Sequence, residues 1–74
     1  MRKKFFLSPY DRQWYNIDLY VENDYGQKHL KYRITEENLK KILTPQEKEL
    51  LRDRELLWIV VDEFSLSPLT SMTF

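Results

Sequence analysis

The sequence predicts a single small α+β domain, in which a three-stranded antiparallel β-sheet packs against two short helices in the order β-β-α-α-β. Three observations predict this fold. An alternating apolar pattern flanks the turn sequence Asn23-Asp24-Tyr25-Gly26 on both sides. Two helix-start signals follow, at Thr35 and Thr44. The last is the run Leu56-Leu57-Trp58-Ile59-Val60-Val61, which is apolar throughout and too short for a buried helix.

The first two predicted strands form a β-hairpin. Apolar residues alternate with others on both sides of the turn, at Tyr15, Ile17, Leu19 and Val21 before it and at Leu30, Tyr32 and Ile34 after it. Gly26, the only glycine of the chain, can adopt a positive φ and close the loop. A register that pairs Glu22 with Gln27 brings all the apolar residues onto one face. The same register predicts an ion pair between Asp18 and Lys31.

The next two elements are short helices, near residues 36–43 and 45–53. Thr35 is a favourable N-cap, and an apolar stripe follows at helical spacing, formed by Leu39, Ile42 and Leu43. Thr44-Pro45-Gln46-Glu47 then combines a cap, a proline at the first helical position and a glutamate at the third, which is a capping box. Because a proline disfavours helical geometry at the preceding residue, the chain forms two helices rather than one.

The apolar run from Leu56 to Val61 is expected to form a buried central strand, because it is apolar on both faces. We place the domain at residues 1–64. Residues 1–12 form an N-terminal arm, in which Phe5-Phe6-Leu7 is either a short edge strand or a hydrophobic plug. Residues 65–74 form a Ser/Thr/Pro-rich tail, which is either disordered or docked on a partner through its apolar residues.

Composition narrows the class of protein. The chain has 74 residues and no cysteine, so it forms one domain with neither a disulfide nor a thiolate metal site. Twelve Lys and Arg balance twelve Asp and Glu, and a net charge of zero argues against a dedicated duplex-DNA binder. No apolar run approaches the roughly 18 residues of a membrane span. We therefore expect a cytoplasmic protein with no membrane contact.

The residues that usually carry catalysis have simpler explanations here. The only histidine, His29, lies on a hairpin strand without a patterned nucleophile beside it. Glu36-Glu37 favour a helix start, and Asp62-Glu63 give a polar end to an apolar strand. A single glycine excludes a phosphate-binding loop. We expect no enzyme activity, no catalytic residues, no metal site and no cofactor.

The surplus of aromatic and apolar residues instead predicts binding to another macromolecule. The residues expected to contact a partner are Trp14, Tyr20, Lys31 and Arg33 on an open sheet face, and Phe5 and Phe6 in the arm. The expected function is non-catalytic binding that inhibits or regulates another protein by occlusion. The alternative is a single-stranded nucleic-acid binder that uses the same aromatic and basic sheet face.

Tyr15, the turn Asn23-Asp24-Tyr25-Gly26, Tyr32 and the helix from Thr35 follow one another in a layout that resembles the small phage inhibitors of uracil-DNA glycosylase. Members of that family have a hairpin, a short helix and a final strand, act as dimers, and mimic DNA with carboxylates. This chain has Leu39-Lys40 where that family has an aromatic–acidic step. The resemblance therefore implies a class of protein, and it does not imply that uracil-DNA glycosylase is the protein inhibited. That class is a compact phage or mobile-element inhibitor of a host protein in the host cytoplasm, with a homodimer as its assembly.

Overall fold

The described residues fold around one antiparallel β-sheet of five strands. The computed structural model describes residues 2–8 and 16–73. The elements in chain order are β1 (Arg2–Leu7), β2 (Asn16–Glu22), β3 (Lys28–Thr35), α1 (Glu36–Lys40), α2 (Pro45–Arg52), β4 (Trp58–Asp62), α3 (Glu63–Leu66) and β5 (Thr70–Thr73). The strand order is β4-β1-β2-β3-β5. The predicted α+β class and antiparallel sheet are confirmed, but the described residues form five strands and three helices rather than three and two.

The N-terminal arm is an interior strand of the sheet. β1 pairs with β2 on one side, where Phe6 lies opposite Tyr20, and with β4 on the other, where Phe6 lies opposite Trp58. Phe5 and Leu7 alternate with Phe6 and are buried in the core. A strand at Phe5-Phe6-Leu7 was therefore predicted correctly, but its placement at the edge of the sheet, or as a plug, was wrong.

The hairpin forms as predicted, in a different register. Ile17 pairs with Ile34 and Asp18 with Arg33, so the predicted pairing of Asp18 with Lys31 was wrong. A β-bulge between Leu19 and Tyr20 shifts the register, because Lys31 is an extra residue between the partners of these two. The sequence pattern alone does not reveal this bulge, since either register keeps Ile17 and Ile34 on one face.

The turn and the helix starts follow their local signals. Gly26 has a φ of 78°, and Asn23 Oδ1 accepts hydrogen bonds from the backbone N–H groups of Tyr25 and Gln27, each at 2.9 Å. Thr35 caps α1 by accepting from the backbone N–H of Asn38. The capping box at the start of α2 is complete. The first helix ends at Lys40, earlier than the predicted residue 43.

The expected central strand is an edge strand. β4 pairs only with β1 among the described strands, and it ends the strand order. Ile59 is buried, whereas Trp58 and Val60 are exposed. The run is apolar on both faces, although only one face meets the core. The prediction that this strand lies at the centre of the sheet, because it is apolar on both faces, was therefore wrong.

The C-terminal tail is part of the fold. Leu66 of α3 is fully buried, and β5 pairs with β3. The side-chain amide of Asn38 also donates to the backbone oxygen of Leu69 at 3.1 Å, which ties α1 to this segment. Neither expectation for residues 65–74, disorder or docking on a partner, describes the backbone of residues 65–73, which packs on its own chain. Phe74 lies outside the described residues.

The core lies on one side of the sheet, under all three helices. Buried strand residues meet the buried helix residues Leu39, Leu51 and Leu66 in a single cluster. Within the described ranges, no polar or charged residue is buried. The longest described helix, α2, has eight residues, and no helix in this part of the chain could cross a membrane.

Candidate functional site

The candidate site is the face of the sheet that the helices do not cover. Side chains of successive strand residues point to opposite faces, and the core residues Phe5, Leu19 and Ile59 occupy the helix-covered face. Their neighbours Phe6, Tyr20 and Trp58 therefore occupy the other face. No helix among residues 2–8 and 16–73 contributes its buried residues to that side. We call this surface the open face.

Three aromatic side chains cross the open face in a line. Trp58 lies opposite Phe6, and Phe6 lies opposite Tyr20, on the adjacent strands β4, β1 and β2. Leu30 continues the line onto β3, opposite Tyr20. Adjacent strands are about 4.8 Å apart, so the three side chains are neighbours across the sheet. We call Trp58, Phe6 and Tyr20 the aromatic row.

Two lysines lie over the aromatic row. The Lys4 Nζ atom is 4.6 Å from the centroid of the Trp58 ring and 5.0 Å from that of Phe6. The Lys28 Nζ atom is 4.8 Å from the Phe6 centroid. Such cation–π contacts contribute roughly 0.5–1 kcal/mol each at exposed sites. None of the ion pairs found among the described residues involves Lys4 or Lys28.

A salt bridge borders the row. Arg33 Nε donates to Asp18 Oδ1 at 2.8 Å, between strands β3 and β2. The hydrogen bond to Asp18, and the charge of the same carboxylate, raise the pKa of the Arg33 guanidinium above its ordinary value. The charge of Arg33 is thus paired within the sheet.

A second polar cluster lies on the helix-covered side, around Glu63 at the start of α3. Its carboxylate is 3.8 Å from Lys3 Nζ and 3.9 Å from Lys31 Nζ. Burial raises the pKa of the Tyr32 hydroxyl, and the charge of Glu63 and a hydrogen bond to it raise that pKa further. A groove of about 560 Å³ runs beside this cluster, against Phe64 and Ser67. Each charged group is matched internally, so the cluster mainly joins α3 to the sheet.

Other titratable residues also have local structural roles. Asp62 caps α3 by accepting from the backbone N–H of Phe64 at 3.0 Å. His29 Nε2 lies 3.2 Å from Asn23 Nδ2 at the hairpin end. In the part of the chain that the structure describes, no three His, Cys, Asp or Glu side chains converge as a metal site would require.

The residues predicted to contact a partner, on an open sheet face and in the N-terminal arm, are distributed differently in the structure. Tyr20 and Phe6 lie together in the aromatic row, with Arg33 on the same face. Lys31 instead pairs with Glu63, as does Lys3, which lies on the helix-covered face. Phe5 has no exposed surface, so its placement on a partner-binding surface was wrong. Trp14 lies outside the described residues.

Sequence reasoning missed Trp58, Lys4 and Lys28. Trp58 was assigned to a buried central strand, and Lys4 to an arm outside the sheet. The alternation of Lys4 with Phe5 and Phe6 is a strand signal in the sequence, but only the pairing of β1 with both neighbours shows that Lys4 lies beside Trp58.

No protein-family model, curated protein or solved structure matches this chain.

Proposed function

We propose that this chain is a non-catalytic protein-binding module that inhibits or regulates its partner by occluding a surface with the open face. The aromatic row carries this proposal. Aromatic side chains are enriched at protein interfaces, and tryptophan and tyrosine are enriched among the residues whose truncation weakens binding strongly. Trp58 is 51% exposed although it lies within a β-strand, and Leu57 and Val60 beside it are also exposed.

The surroundings of the row define the chemistry of the partner. Lys4 and Lys28 place positive charge over an apolar strip. A complementary surface presents apolar side chains to the rings and carboxylates to the two ammonium groups. We propose a host protein with such an acidic and apolar patch. The layout of the hairpin and first helix supports a phage or mobile-element inhibitor as the biological setting.

Affinity capture with matched variants tests this function. Wild-type protein, Tyr20→Ala and Leu50→Ala are each immobilised and exposed to the same bacterial lysate. Leu50 is 40% exposed on α2, on the opposite side of the molecule from Tyr20, so its variant controls for loss of an apolar side chain. We expect one stoichiometric protein on the wild type and on Leu50→Ala, and its loss on Tyr20→Ala.

If Tyr20→Ala retains its fold by circular dichroism and captures the same protein as the wild type, the open face is not the binding surface. If no protein is retained stoichiometrically by the wild type, the protein-binding function is contradicted for the proteins of that lysate.

Single-stranded nucleic acid is a second candidate ligand, favoured by the lysines over the rings. Bases stack on aromatic side chains while cations contact the backbone, and stacking contributes about 1–3 kcal/mol per base. Titration of a poly-dT oligonucleotide, followed by tryptophan fluorescence over a salt series, tests it. Lys4→Ala and Lys28→Ala should each lower the salt slope by about 0.7, whereas Lys48→Ala on α2 should not. Absence of binding at low salt would exclude this ligand.

A further inference from the structure

The groove beside Glu63 has the size and the lining of a small-molecule site. Its volume is about 560 Å³, and sites that bind small molecules usually have volumes of roughly 300–1,000 Å³. Such sites combine apolar walls with a few polar groups that fix the orientation of the ligand. Residues of β1, β3 and α3 form this groove: Arg2, Lys3, Tyr32, Glu63, Phe64 and Ser67. Elements that are distant in the sequence therefore converge here.

Two aromatic rings contribute to the groove, and they differ in exposure. Tyr32 is buried, and its ring packs edge-on against Phe5 with 5.8 Å between the centroids. Phe64 is 82% exposed. Aromatic rings favour offset-stacked or edge-to-face contacts with other rings. A flat aromatic ligand in the groove would therefore cover the Phe64 ring, which the described part of the chain leaves open to solvent.

The cations around the groove outnumber the carboxylate that lines it. Lys3 Nζ and Lys31 Nζ lie 3.8 and 3.9 Å from the Glu63 carboxylate, so both ammonium groups have the same partner. The Tyr32 hydroxyl also hydrogen-bonds to Glu63. Because one carboxylate serves two ammonium groups, Glu63 alone does not balance the positive charge at this end of the sheet.

Arg2 adds a third cation to the same groove. Its Nη1 donates to the Val60 backbone oxygen at the long distance of 3.5 Å, and none of the ion pairs found among the described residues involves Arg2. Asp62 lies opposite Arg2 in the sheet register, but its Oδ1 accepts the backbone N–H of Phe64. Three cations therefore stand against two carboxylates at this end of the molecule, which favours a ligand with a negative charge.

We propose that this groove binds a small aromatic carboxylic acid. The ring of the ligand contacts Phe64, and its carboxylate lies at the Arg2 guanidinium and the Lys3 ammonium group. A planar guanidinium presents paired N–H donors that match the two oxygens of a carboxylate. An aliphatic acid lacks the ring contact, and an aromatic amine carries the same charge as Arg2, so both are poorer ligands.

This site is separate from the open face. The groove lies on the helix-covered side, beside α3, and none of its lining residues belongs to the aromatic row. The proposal therefore does not rest on the protein-binding function, and the failure of either one leaves the other standing.

Titration with benzoate, followed by the backbone amide shifts in heteronuclear NMR spectra, tests the site. We expect saturable shifts at Lys3, Phe64 and Ser67. The amides of Tyr20 and Leu30, on the open face, should not shift. Absence of saturable shifts at millimolar benzoate, or shifts confined to the open face, would overturn the proposal.

Two matched probes test the ligand class. Cyclohexanecarboxylate keeps the charge and the ring size without the aromatic face, and benzamide keeps the aromatic ring without the charge. Each should bind about threefold or more weakly than benzoate. Binding of either probe with the affinity of benzoate would overturn the assigned class, because the groove would then not recognise the aromatic ring or the charge.

Matched variants test the residues. Arg2→Gln and Phe64→Ala each remove one contact at an exposed position, and Arg52→Gln and Tyr25→Ala make the same kinds of change at exposed positions of α2 and the hairpin turn. The benzoate dissociation constant should rise about threefold or more for the first pair and stay unchanged for the second. Unchanged affinity of Arg2→Gln or Phe64→Ala, in variants that retain their fold by circular dichroism, would overturn the proposal.

Discussion

Arg54 occupies a backbone conformation that suits glycine. Its φ is 60°, directly after the end of α2. The backbone N–H of Arg54 donates to Leu51 O at 3.1 Å and that of Glu55 donates to Leu50 O at 2.7 Å. These two bonds form a Schellman motif, in which the left-handed position is usually glycine. The chain turns toward β4 here, and the left-handed conformation is costly for arginine because its Cβ atom comes close to the following carbonyl oxygen.

We expect Arg54→Gly to stabilise the protein. The left-handed conformation costs a non-glycine residue roughly 1–2 kcal/mol, and the added flexibility of the unfolded chain offsets part of the gain. The free energy of unfolding in urea should rise by about 0.5–1 kcal/mol. Arg52→Gly, inside α2, should lower it by about 1 kcal/mol. Destabilisation by both substitutions would show that the motif carries no strain.

The raised pKa of Tyr32 predicts a loss of stability in alkali. Burial and Glu63 favour the neutral phenol in the folded state, so its folded pKa lies above the ordinary value of 10.0. Stability from this group is complete below pH 10.0 and decreases as the pH rises toward and through the folded pKa, because only the unfolded state ionises easily. Tyr32→Phe should remove this part of the alkaline decrease, whereas Tyr25→Phe, at an exposed turn position, should not.

At the scale of elements, local signals predicted helix starts better than strand positions. A cap or a turn acts between residues three or four apart, and the sequence displays both partners. Thr44 and Glu47 therefore predicted the start of α2 correctly. The position of a strand within a sheet depends on distant partners. Local patterns therefore predicted a central position for β4 and an arm for the residues of β1, and both predictions were wrong.

The capping box at α2 predicts a graded effect of substitution. The Thr44 hydroxyl accepts the backbone N–H of Glu47 at 3.2 Å, and Thr44→Ala leaves that donor without its partner. We expect thermal or urea unfolding to show a loss of about 1 kcal/mol. Thr44→Ser keeps the oxygen and should remain close to the wild type. Equal losses for the two variants would show that the methyl group, rather than the hydroxyl, matters.

At the scale of the whole molecule, both chain ends complete the core. Phe5 near the beginning and Leu66 near the end are fully buried in the same cluster as Leu19 and Ile59. A short chain has little apolar surface to bury, so each end contributes substantially to stability. The described segment after residue 64 is thus structural, although its composition is that of a tail.

The substitution Leu66→Ala tests how much the buried leucine of α3 contributes to the free energy of unfolding. Truncation of a fully buried leucine costs about 2–5 kcal/mol through lost burial and the cavity left behind. We expect a loss in that range by urea unfolding at low protein concentration. Leu50→Ala, at a 40% exposed position, should cost much less. Similar small losses for both variants would mean that α3 contributes little to the core.

The sequence by itself determined the α+β class, the hairpin turn and the two capped helices, because each depends on residues close together in the chain. Only the tertiary structure decided the strand order β4-β1-β2-β3-β5, the bulge at Lys31 and the burial of Phe5 and Leu66. Those features arise from pairing between distant strands, which no local pattern specifies. The same pairing decides that Trp58, Phe6 and Tyr20 meet on one exposed face.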